Sequence, residues 1–329
     1  MAAIEVDKLE REFKDGLRAV DGIELEVADG EVYGFLGPNG AGKTTTVRML
    51  VTLLRPTGGV ARVAGFDVAR EPAQVRRRIG VALQEAALDA LMTGRELVEL
   101  QAVLHGIAPA AVRDRGDDLL ERVGLTDARD RRVGTYSGGM RRRLDLAMAL
   151  IHEPQVLFLD EPTTGLDPVS RVTLWEEVRR LKGEGTTVFL TTQYLEEADQ
   201  LADRVGIIAA GRLVAEGTPA ALKAQVGSAH LDISLTDPGN SEAARSVMGR
   251  FGALRPPRED CHLSVALAGG ARDIAPVVRA LDEAGLMVAS LDLVEPSLDD
   301  VFMEKTGRHL EGAAEAPGED GVVADGGRA

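Results

Sequence analysis

Cysteine, aromatic residues and long apolar runs are scarce in this 329-residue sequence. The single cysteine, Cys261, excludes an intramolecular disulfide framework and a metal site built from several thiolates. No stretch approaches the ~18 apolar residues that a membrane span needs, and the first residues lack the basic and then apolar order of a signal peptide. We therefore expect a cytoplasmic chain that relies on another polypeptide for any membrane span.

Basic residues are also fewer than acidic residues. Lys and Arg total 38 against 53 Asp and Glu, which gives a formal net charge of −15. Proteins that bind nucleic acid usually present a basic face to the phosphate backbone, so the acidic balance argues against nucleic acid as the main partner. The hydrophobic content of 44% allows a sizeable core, and the length suits about two domains.

A glycine-rich stretch is the strongest motif in the sequence. It reads Gly37, Pro38, Asn39, Gly40, Ala41, Gly42, Lys43, Thr44 and Thr45. It fits the Gly-x4-Gly-Lys-Ser/Thr pattern, with a predicted strand before it and a predicted helix after it. Such a turn binds phosphate through backbone N–H groups and the helix dipole. Lys43 is expected to reach the β- and γ-phosphates, and Thr44 is expected to bind Mg²⁺.

Further polar side chains stand where predicted buried strands end. Asp160 and Glu161 follow one apolar run, Gln84 follows a second, and Gln193 follows a third. Open α/β sheets place their ligands at the carboxyl ends of such strands. Of two adjacent carboxylates there, one can bind a metal ion and the other can activate a water molecule.

Ser137, Gly138 and Gly139 open another predicted helix. A hydroxyl and backbone donors at a helix start suit an anion, although the same residues also suit an ordinary helix cap. Three arginines at 141–143 follow them. Such a run is usually a solvated face, and here it would also add positive potential near the anion site.

The upstream Phe13 lies between two segments that alternate apolar and polar residues, as half-buried strands do. An aromatic ring at this place can stack on a purine, and it can equally pack on the sheet. The residues alone leave both interpretations open.

The chain divides into three predicted parts. Residues 1–225 form an α/β domain with a helical insert at about 85–135. Residues 226–308 alternate short strands and helices and form a smaller α+β domain. The remaining residues, 309–329, are rich in Gly, Ala, Glu and Asp and are predicted to be a disordered acidic tail. Within the insert, Leu97, Leu100 and Leu104 at helical spacing predict an apolar inner face.

Taken together, residues 2–225 resemble the ATP-binding subunits of ABC transporters. The motifs that carry the resemblance are the phosphate loop, Gln84, the stretch Tyr136-Ser-Gly-Gly-Met140, the acidic strand end at 160–161, and Thr164-Gly-Leu-Asp167. Finer features, including Leu298-Asp-Asp-Val-Phe302, are similar to the ATPases of daunorubicin/doxorubicin-type drug-resistance exporters. The resemblance implies a P-loop NTPase fold of ABC type, with a mixed sheet core, an antiparallel β subdomain and a helical insert.

The resemblance also implies roles. Phe13 would stack on adenine, while Lys43, Thr45 and the loop amides would hold the phosphates of ATP. Thr44, Asp160 and Gln84 would hold Mg²⁺ directly or through water, and Glu161 would polarise the attacking water. Residues Ser137, Gly138 and Gly139 would close over the γ-phosphate of ATP bound to a second protomer, and Asp167 would couple the two sites.

The sequence departs from the wider family at three positions. Met140 replaces the usual Gln of the signature, Tyr136 replaces Leu, and Gln193 replaces the His that contacts the γ-phosphate. A glutamine can donate a hydrogen bond but cannot carry a proton at neutral pH. We therefore expect hydrolysis that is reduced or dependent on a partner.

The implied partners are a second copy of this subunit, or a related ATPase, and an integral membrane permease on a separate chain. ATP and Mg²⁺ are the implied cofactors, and a peripheral position on the cytoplasmic face of the membrane is the implied location. Export of a hydrophobic drug rests on the resemblance alone. Two alternatives stay open: an ATP-gated regulatory subunit with little hydrolysis, and a soluble ATPase of the same superfamily that acts on ribosomes or DNA.

Overall fold

The computed structural model describes residues 2–83, 88–227, 229–254, 262–267 and 269–309. Gln84, Cys261 and the end of the predicted tail, 310–329, lie outside the described residues. The strands are β1 (Ala2–Glu12), β2 (Arg18–Ala28), β3 (Val32–Leu36), β4 (Gly58–Val63), β5 (Phe66–Asp67), β6 (Ile79–Ala82), β7 (Val156–Asp160), β8 (Thr187–Thr192), β9 (Arg204–Ala209), β10 (Arg212–Gly217), β11 (His230–Leu235), β12 (His262–Ala266) and β13 (Val288–Val294). The α-helices are α1 (Lys43–Leu50), α2 (Pro72–Arg76), α3 (Gly94–Leu104), α4 (Pro109–Arg122), α5 (Gly138–Leu150), α6 (Pro168–Gly183), α7 (Leu195–Leu201), α8 (Pro219–Val226), α9 (Ser241–Met248), α10 (Ile274–Glu283) and α11 (Leu298–Thr306).

A six-stranded mixed sheet, in the order β10-β9-β3-β8-β7-β6, forms the middle layer of the N-terminal region. Its strands are parallel except for β10, which is antiparallel to β9. Strands β3, β7 and β8 are buried along their whole length because both faces of the sheet are covered. Their parallel direction places Leu36, Asp160 and Thr192 at one edge of the sheet. That edge carries the candidate site.

An antiparallel sheet, in the order β2-β1-β4-β5, covers one face of the mixed sheet. The alternating pattern of β1 and β2 turns Ile4, Val6 and Leu25 inward, where they share a core with Phe158 of β7 and Val47 of α1. The predicted half-buried strands are therefore present, and their period of two decides which side chains enter the core.

Helices cover the opposite face of the mixed sheet. Helices α3 and α4 of the insert pack with α5 around Leu97, Leu120 and Leu144. The predicted apolar face of α3 is only partly correct, because Leu100 is 45% exposed and Leu104 is 72% exposed. These leucines point away from the core and leave an apolar surface on the outside of the insert.

The C-terminal region (residues 229–309) contains a three-stranded antiparallel sheet in the order β12-β11-β13. Leu231 and Ile233 of β11 form a core with Val247 of α9 and Leu281 of α10. This arrangement confirms the predicted smaller α+β unit, and with the mixed sheet, the antiparallel sheet and the helical insert it confirms the predicted fold class.

The last helix, α11, does not join the core of the C-terminal sheet. Its residues Leu298, Val301 and Phe302 are buried in one apolar cluster with Leu36 of β3 and Leu222 of α8, and α11 contacts α8 and α7. The end of the C-terminal region therefore shares a buried apolar cluster with the strand that leads into the phosphate loop. Within the described residues, no helix has both the length and the apolar character to cross a bilayer.

Candidate functional site

The phosphate loop connects β3 to α1, as the sequence predicted. Gly40 and Gly42 adopt φ values of 77° and 110°, a region that favours glycine. A Cβ at Gly37 would lie 2.4 Å from the carbonyl oxygen of Ile208, so a side chain cannot be accommodated there. These glycines let the backbone curl ahead of the N-terminus of α1, where unpaired N–H groups can bind an anion.

Lys43 is buried at the start of α1 and its ammonium faces three oxygens. Nζ donates to the carbonyl oxygens of Gly37 at 2.7 Å and Pro38 at 3.1 Å. It also lies 3.2 Å from Oε1 of Glu161, whose side chain is buried too. The structure thus joins the phosphate loop to the end of β7 through one buried ion pair.

The carboxylate of Asp160 also lies near the start of α1, where it contacts Thr44. Its Oδ1 accepts hydrogen bonds from Thr191 Oγ1 at 2.5 Å and from Thr44 Oγ1 at 3.4 Å. Its Oδ2 is buried without a hydrogen-bond partner. A buried carboxylate oxygen without a donor is costly, and it belongs to the same carboxylate that the Thr44 hydroxyl contacts. Hard oxygen donors of this kind fit Mg²⁺.

Thr191 is a site residue that the sequence analysis did not single out. It stands opposite Asp160 in the register of β7 and β8. Besides donating to Asp160, its Oγ1 accepts a hydrogen bond from the backbone N–H of Glu161 at 3.1 Å. Glu161 has a φ of 49°, which is uncommon for a residue with a side chain. The threonine therefore helps to hold both carboxylates, and only the pairing of the strands reveals it.

A second cluster is formed by the N-termini of α5 and α6. Ser137 caps α5 by accepting a hydrogen bond from Met140 N, and Asp167 caps α6 by accepting one from Ser170 N at 2.9 Å. A Cβ at Gly139 would lie 2.8 Å from Ser170 Oγ, so the two helix starts are in close contact. Hydrogen bonds from Ser170 lower the pKa of Asp167. Ser137, Gly138 and Asp167 are exposed, which leaves this cluster open to another molecule.

Two predicted residues lie at the periphery of the described contacts. Phe13 is half-buried in the turn between β1 and β2, with the Arg11 guanidinium carbon 4.7 Å from its ring centre. Gln193 is half-buried between β8 and α7. Gln84 lies outside the described residues, and the last described residue before it is Leu83.

The arginine run was wrongly interpreted as a solvated face. Arg141 is exposed, but the side chain of Arg142 is only 10% exposed and that of Arg143 is half-buried. Arg142 donates to the carbonyl oxygen of Asp160 at 2.6 Å, and Arg143 donates to that of Val123 at 2.8 Å. The helix turns both side chains inward, where backbone carbonyls pair with their guanidinium groups.

A phosphate loop between strand and helix, with two carboxylates at the end of the next parallel strand but one, defines a P-loop ATPase. The family model described as ABC transporter matches residues 20–164, and that described as ATP-binding protein DrrA1-3-like, C-terminal domain, matches residues 217–306. The chain belongs to the ATP-binding subunits of ABC transporters, and it is a transport ATPase that hydrolyses ATP.

The chain is similar to particular members of this family of ATP-binding subunits. The chain is 51% identical over 305 residues to the Daunorubicin resistance ATP-binding protein DrrA3 of Streptomyces coeruleorubidus, covering 93% of this chain and 96% of that protein. It is 50% identical over 322 residues to the Daunorubicin/doxorubicin resistance ATP-binding protein DrrA of Streptomyces peucetius, covering 95% and 96%. A solved ATP binding subunit of an ABC transporter is 28% identical, with a TM-score of 0.63, and covers 68% of this chain and 92% of that chain.

Proposed function

We propose that this chain is the ATP-hydrolysing subunit of an exporter, that it dimerises around two ATP molecules, and that it drives a separate membrane permease. The observation that carries the proposal is the convergence of Lys43, Thr44, Asp160 and Glu161 at one edge of the mixed sheet. Phosphoryl transfer needs such positioning and charge neutralisation more than covalent chemistry.

Lys43 and the loop amides are the groups that would bind the phosphates. In the structure the Lys43 ammonium is held by Gly37 O, Pro38 O and the Glu161 carboxylate. The triphosphate carries several negative charges, so it would attract the Lys43 ammonium more strongly than two neutral carbonyls and a single carboxylate do. ATP would therefore draw Lys43 away from these partners and free Glu161 to hold the attacking water and take its proton. Thr45 would support the α-phosphate. Phe13 would stack on the adenine once the Arg11 guanidinium no longer lies over its ring.

Mg²⁺ fits the residues present. The unpartnered Oδ2 of Asp160 and the nearby Thr44 hydroxyl would hold it, and Gln84 would complete the set through its loop. When bound, the ion would neutralise charge on the β- and γ-phosphates. Thr191 would keep Asp160 Oδ1 occupied, so that Oδ2 stays turned toward the metal.

The exposed second cluster supports the dimer. Ser137 and Gly138 are exposed at the N-terminus of α5, and Gly139 is buried behind them against Ser170. A second copy would place its bound γ-phosphate against this N-terminus, and Asp167 at the adjoining α6 would link the two sites. ATP would then favour the closed dimer because it contacts both protomers.

The outer surface of the helical insert is the proposed contact with the permease. Leu91, Leu100 and Val103 are exposed around a groove of about 600 Å³, which also borders Glu96 and Glu99. Exposed apolar side chains that lie together beside charged residues are typical of a protein contact. A cysteine placed at Leu100 should form a cross-link to the permease, and this measurement tests the assignment. The contact does not require the ATPase dimer, so a cross-link that forms without dimers would still support it.

Drug export is proposed from the relatives, since the matched proteins are described as daunorubicin and doxorubicin resistance proteins. The substrate would be a hydrophobic drug carried by the permease on the membrane, with this chain at its cytoplasmic face. We also propose the division into an ATP-binding domain (1–225), a C-terminal domain (226–308) and an acidic tail (309–329).

Turnover of ATP by the purified chain tests the proposal most directly. Glu161→Gln removes the proton acceptor, so we expect turnover to fall by about 100-fold or more while an ATP-bound dimer accumulates. Turnover is measured by phosphate release and the dimer by light scattering in ATP. Glu177→Gln is the matched control, because Glu177 is also buried but is paired with Arg122 at 2.6 Å on α4.

The outcomes separate the competing functions. Unchanged turnover in Glu161→Gln would contradict the assigned role. If the wild-type chain binds ATP but hydrolyses none even with its permease, an ATP-gated regulatory subunit would replace the motor, and Gln193 would be the first residue to examine. Gln193→His would then be expected to raise turnover.

A further inference from the structure

One buried guanidinium contacts three separate segments of the candidate site. Arg142, on α5, donates from Nη2 to Asp160 O at 2.6 Å and from Nε to Pro162 O at 3.1 Å. Its Nη1 donates to Leu83 O. Asp160 and Pro162 flank Glu161, and Leu83 directly precedes Gln84. Two of the three acceptor carbonyls therefore belong to the residues on either side of Glu161, and the third belongs to the residue before Gln84.

The acceptors are neutral carbonyls, so geometry rather than charge pairing dominates these contacts. Among the described residues, the carboxylate within ion-pair distance of Arg142 is Asp145, at 3.7 Å. Asp160, Glu161 and Glu197 also act on the guanidinium through their negative charge, but burial outweighs them and lowers the pKa of Arg142. A rigid planar fork with five N–H donors can serve three fixed carbonyls at once, which a lysine ammonium on a flexible stem cannot reproduce.

We propose that Arg142 is a positioning residue that fixes Glu161 and Leu83, the last described residue before Gln84, relative to helix α5. The inference rests on the roles given to Glu161 and Ser137 under the proposed function. Ser137 caps the same helix five residues earlier. A shift of α5 when Ser137 meets the partner's ATP would therefore be passed through Arg142 to the carboxylates of its own chain.

Arg143 provides a matched comparison one residue further along. It is also turned inward from α5, and it also donates to backbone carbonyls, those of Val123 and Gly124. Those acceptors end α4 in the helical insert and flank no predicted site residue. Removal of either guanidinium leaves unpaired carbonyls, but only the removal of Arg142 frees the backbone beside Glu161.

The test compares Arg142→Lys, Arg142→Met and Arg143→Met in steady-state ATP turnover and in binding of a fluorescent ATP analogue without Mg²⁺. Arg142→Lys keeps the positive charge beside Asp145 and is expected to fold. We expect both Arg142 variants to lose turnover by about tenfold to 100-fold, because misplacement of a reacting group by about 1 Å can cost that much. Nucleotide affinity should change less than about twofold, since Arg142 does not contact the phosphate loop. Arg143→Met should lose thermal stability but keep its turnover.

Three results would overturn the inference. They are wild-type turnover in Arg142→Lys, equal losses of turnover in Arg142→Met and Arg143→Met, and a loss confined to nucleotide affinity. Glu161→Gln, measured in parallel, separates this inference from the proposed function. If Glu161→Gln is inactive and Arg142→Lys is active, only the positioning role fails; if Glu161→Gln stays active, the site assignment itself fails.

Discussion

The N-terminal region and the C-terminal region bury different chemistry. Among the described residues, the buried polar or charged side chains of the N-terminal region are Glu31, Lys43, Thr46, Asp160, Glu161, Thr163, Glu177, Thr187, Thr191, Thr192 and Glu197, and that of the C-terminal region is His230. Burial of a polar group costs free energy unless it is paired. In the first region Asp160, Glu161, Thr191 and Thr192 lie where the parallel strands β7 and β8 end, whereas the described core of the second region consists of apolar side chains.

The contrast indicates where reactivity can reside. The core of the C-terminal region consists of aliphatic side chains and Met248, which offer no group for phosphoryl transfer. Its contribution to the motor is therefore expected through contacts, while the chemistry stays at the edge of the mixed sheet. Paired substitutions, one in each region, test this contrast.

The largest effect is expected from Asp160→Asn. Asp160 Oδ2 and Asp232 Oδ1 are both buried carboxylate oxygens without a hydrogen-bond partner, one in each region. Because Asp160 is the proposed Mg²⁺ ligand, its amide variant should lose turnover by about 100-fold or more, and raising Mg²⁺ should restore part of it. Phosphate release across a Mg²⁺ titration measures the effect.

Asp232→Asn is the control in the other region. It should keep turnover within about twofold, since Asp232 lies far along the chain, in β11, beside His230. A loss of activity in Asp232→Asn as large as that in Asp160→Asn would erase the contrast between the regions.

A smaller effect is expected from Phe302→Ala against Leu281→Ala. Both remove a buried apolar side chain, at a cost of about 2–5 kcal/mol in unfolding free energy. Phe302 packs in the same cluster as Leu36, which ends β3 at the phosphate loop, whereas Leu281 packs within the C-terminal core. Phe302→Ala should therefore also weaken nucleotide binding.

Urea unfolding and binding of a fluorescent ATP analogue provide the two readouts for this pair. Leu281→Ala should lower stability and leave the affinity for nucleotide unchanged. If both variants keep wild-type affinity, α11 has no influence on the phosphate loop.

The smallest effect is a pH dependence that arises between the helical insert and the mixed sheet. The rings of His105 and His152 are stacked at 3.8 Å, and His152 Nε2 lies 2.9 Å from Ile79 O. Burial, followed by the charge of His105, lowers the pKa of His152 from 6.5 to about 4. The folded chain thus binds fewer protons than the unfolded chain between these pH values, so the stability that His152 contributes above pH 6.5 is lost as the pH falls toward 4.

His152 is partly exposed, so the loss should be on the order of 1 kcal/mol after screening by solvent. Urea unfolding of wild type and His152→Phe from pH 7 to pH 4 measures it, since the variant should lack this part of the acid destabilisation. Parallel pH profiles for the two proteins would show that the stacked pair does not titrate as described.

Much of this architecture follows from local sequence patterns. The phosphate loop was predictable because Gly40, Gly42 and Lys43 form a pattern of consecutive residues, and the buried strands were predictable from continuous apolar runs. The structure confirms the P-loop fold and the order of strands and helices in the C-terminal region.

Thr191 and Arg142 were not predictable, because their roles depend on partners distant in the chain. Thr191 meets Asp160 only through the pairing of β7 with β8. Arg142 sits in a run of charges, and only the packing of α5 decides that it turns inward while Arg141 faces solvent. The prediction that Leu104 lies on the inner face of α3 was wrong, because helical spacing alone cannot distinguish a buried apolar face from an exposed one.

The docking of α11 has a consequence for protein engineering. Although the chain changes character near residue 226, a cut there would remove the helix that completes the buried cluster of Leu36 and Leu222. A truncated ATPase fragment would expose an apolar strip beside its nucleotide loop, and its poor behaviour could be mistaken for a regulatory effect of the missing domain. A chimera between two such transporters should therefore exchange 229–296 and leave α11 with the ATPase to which it is fitted.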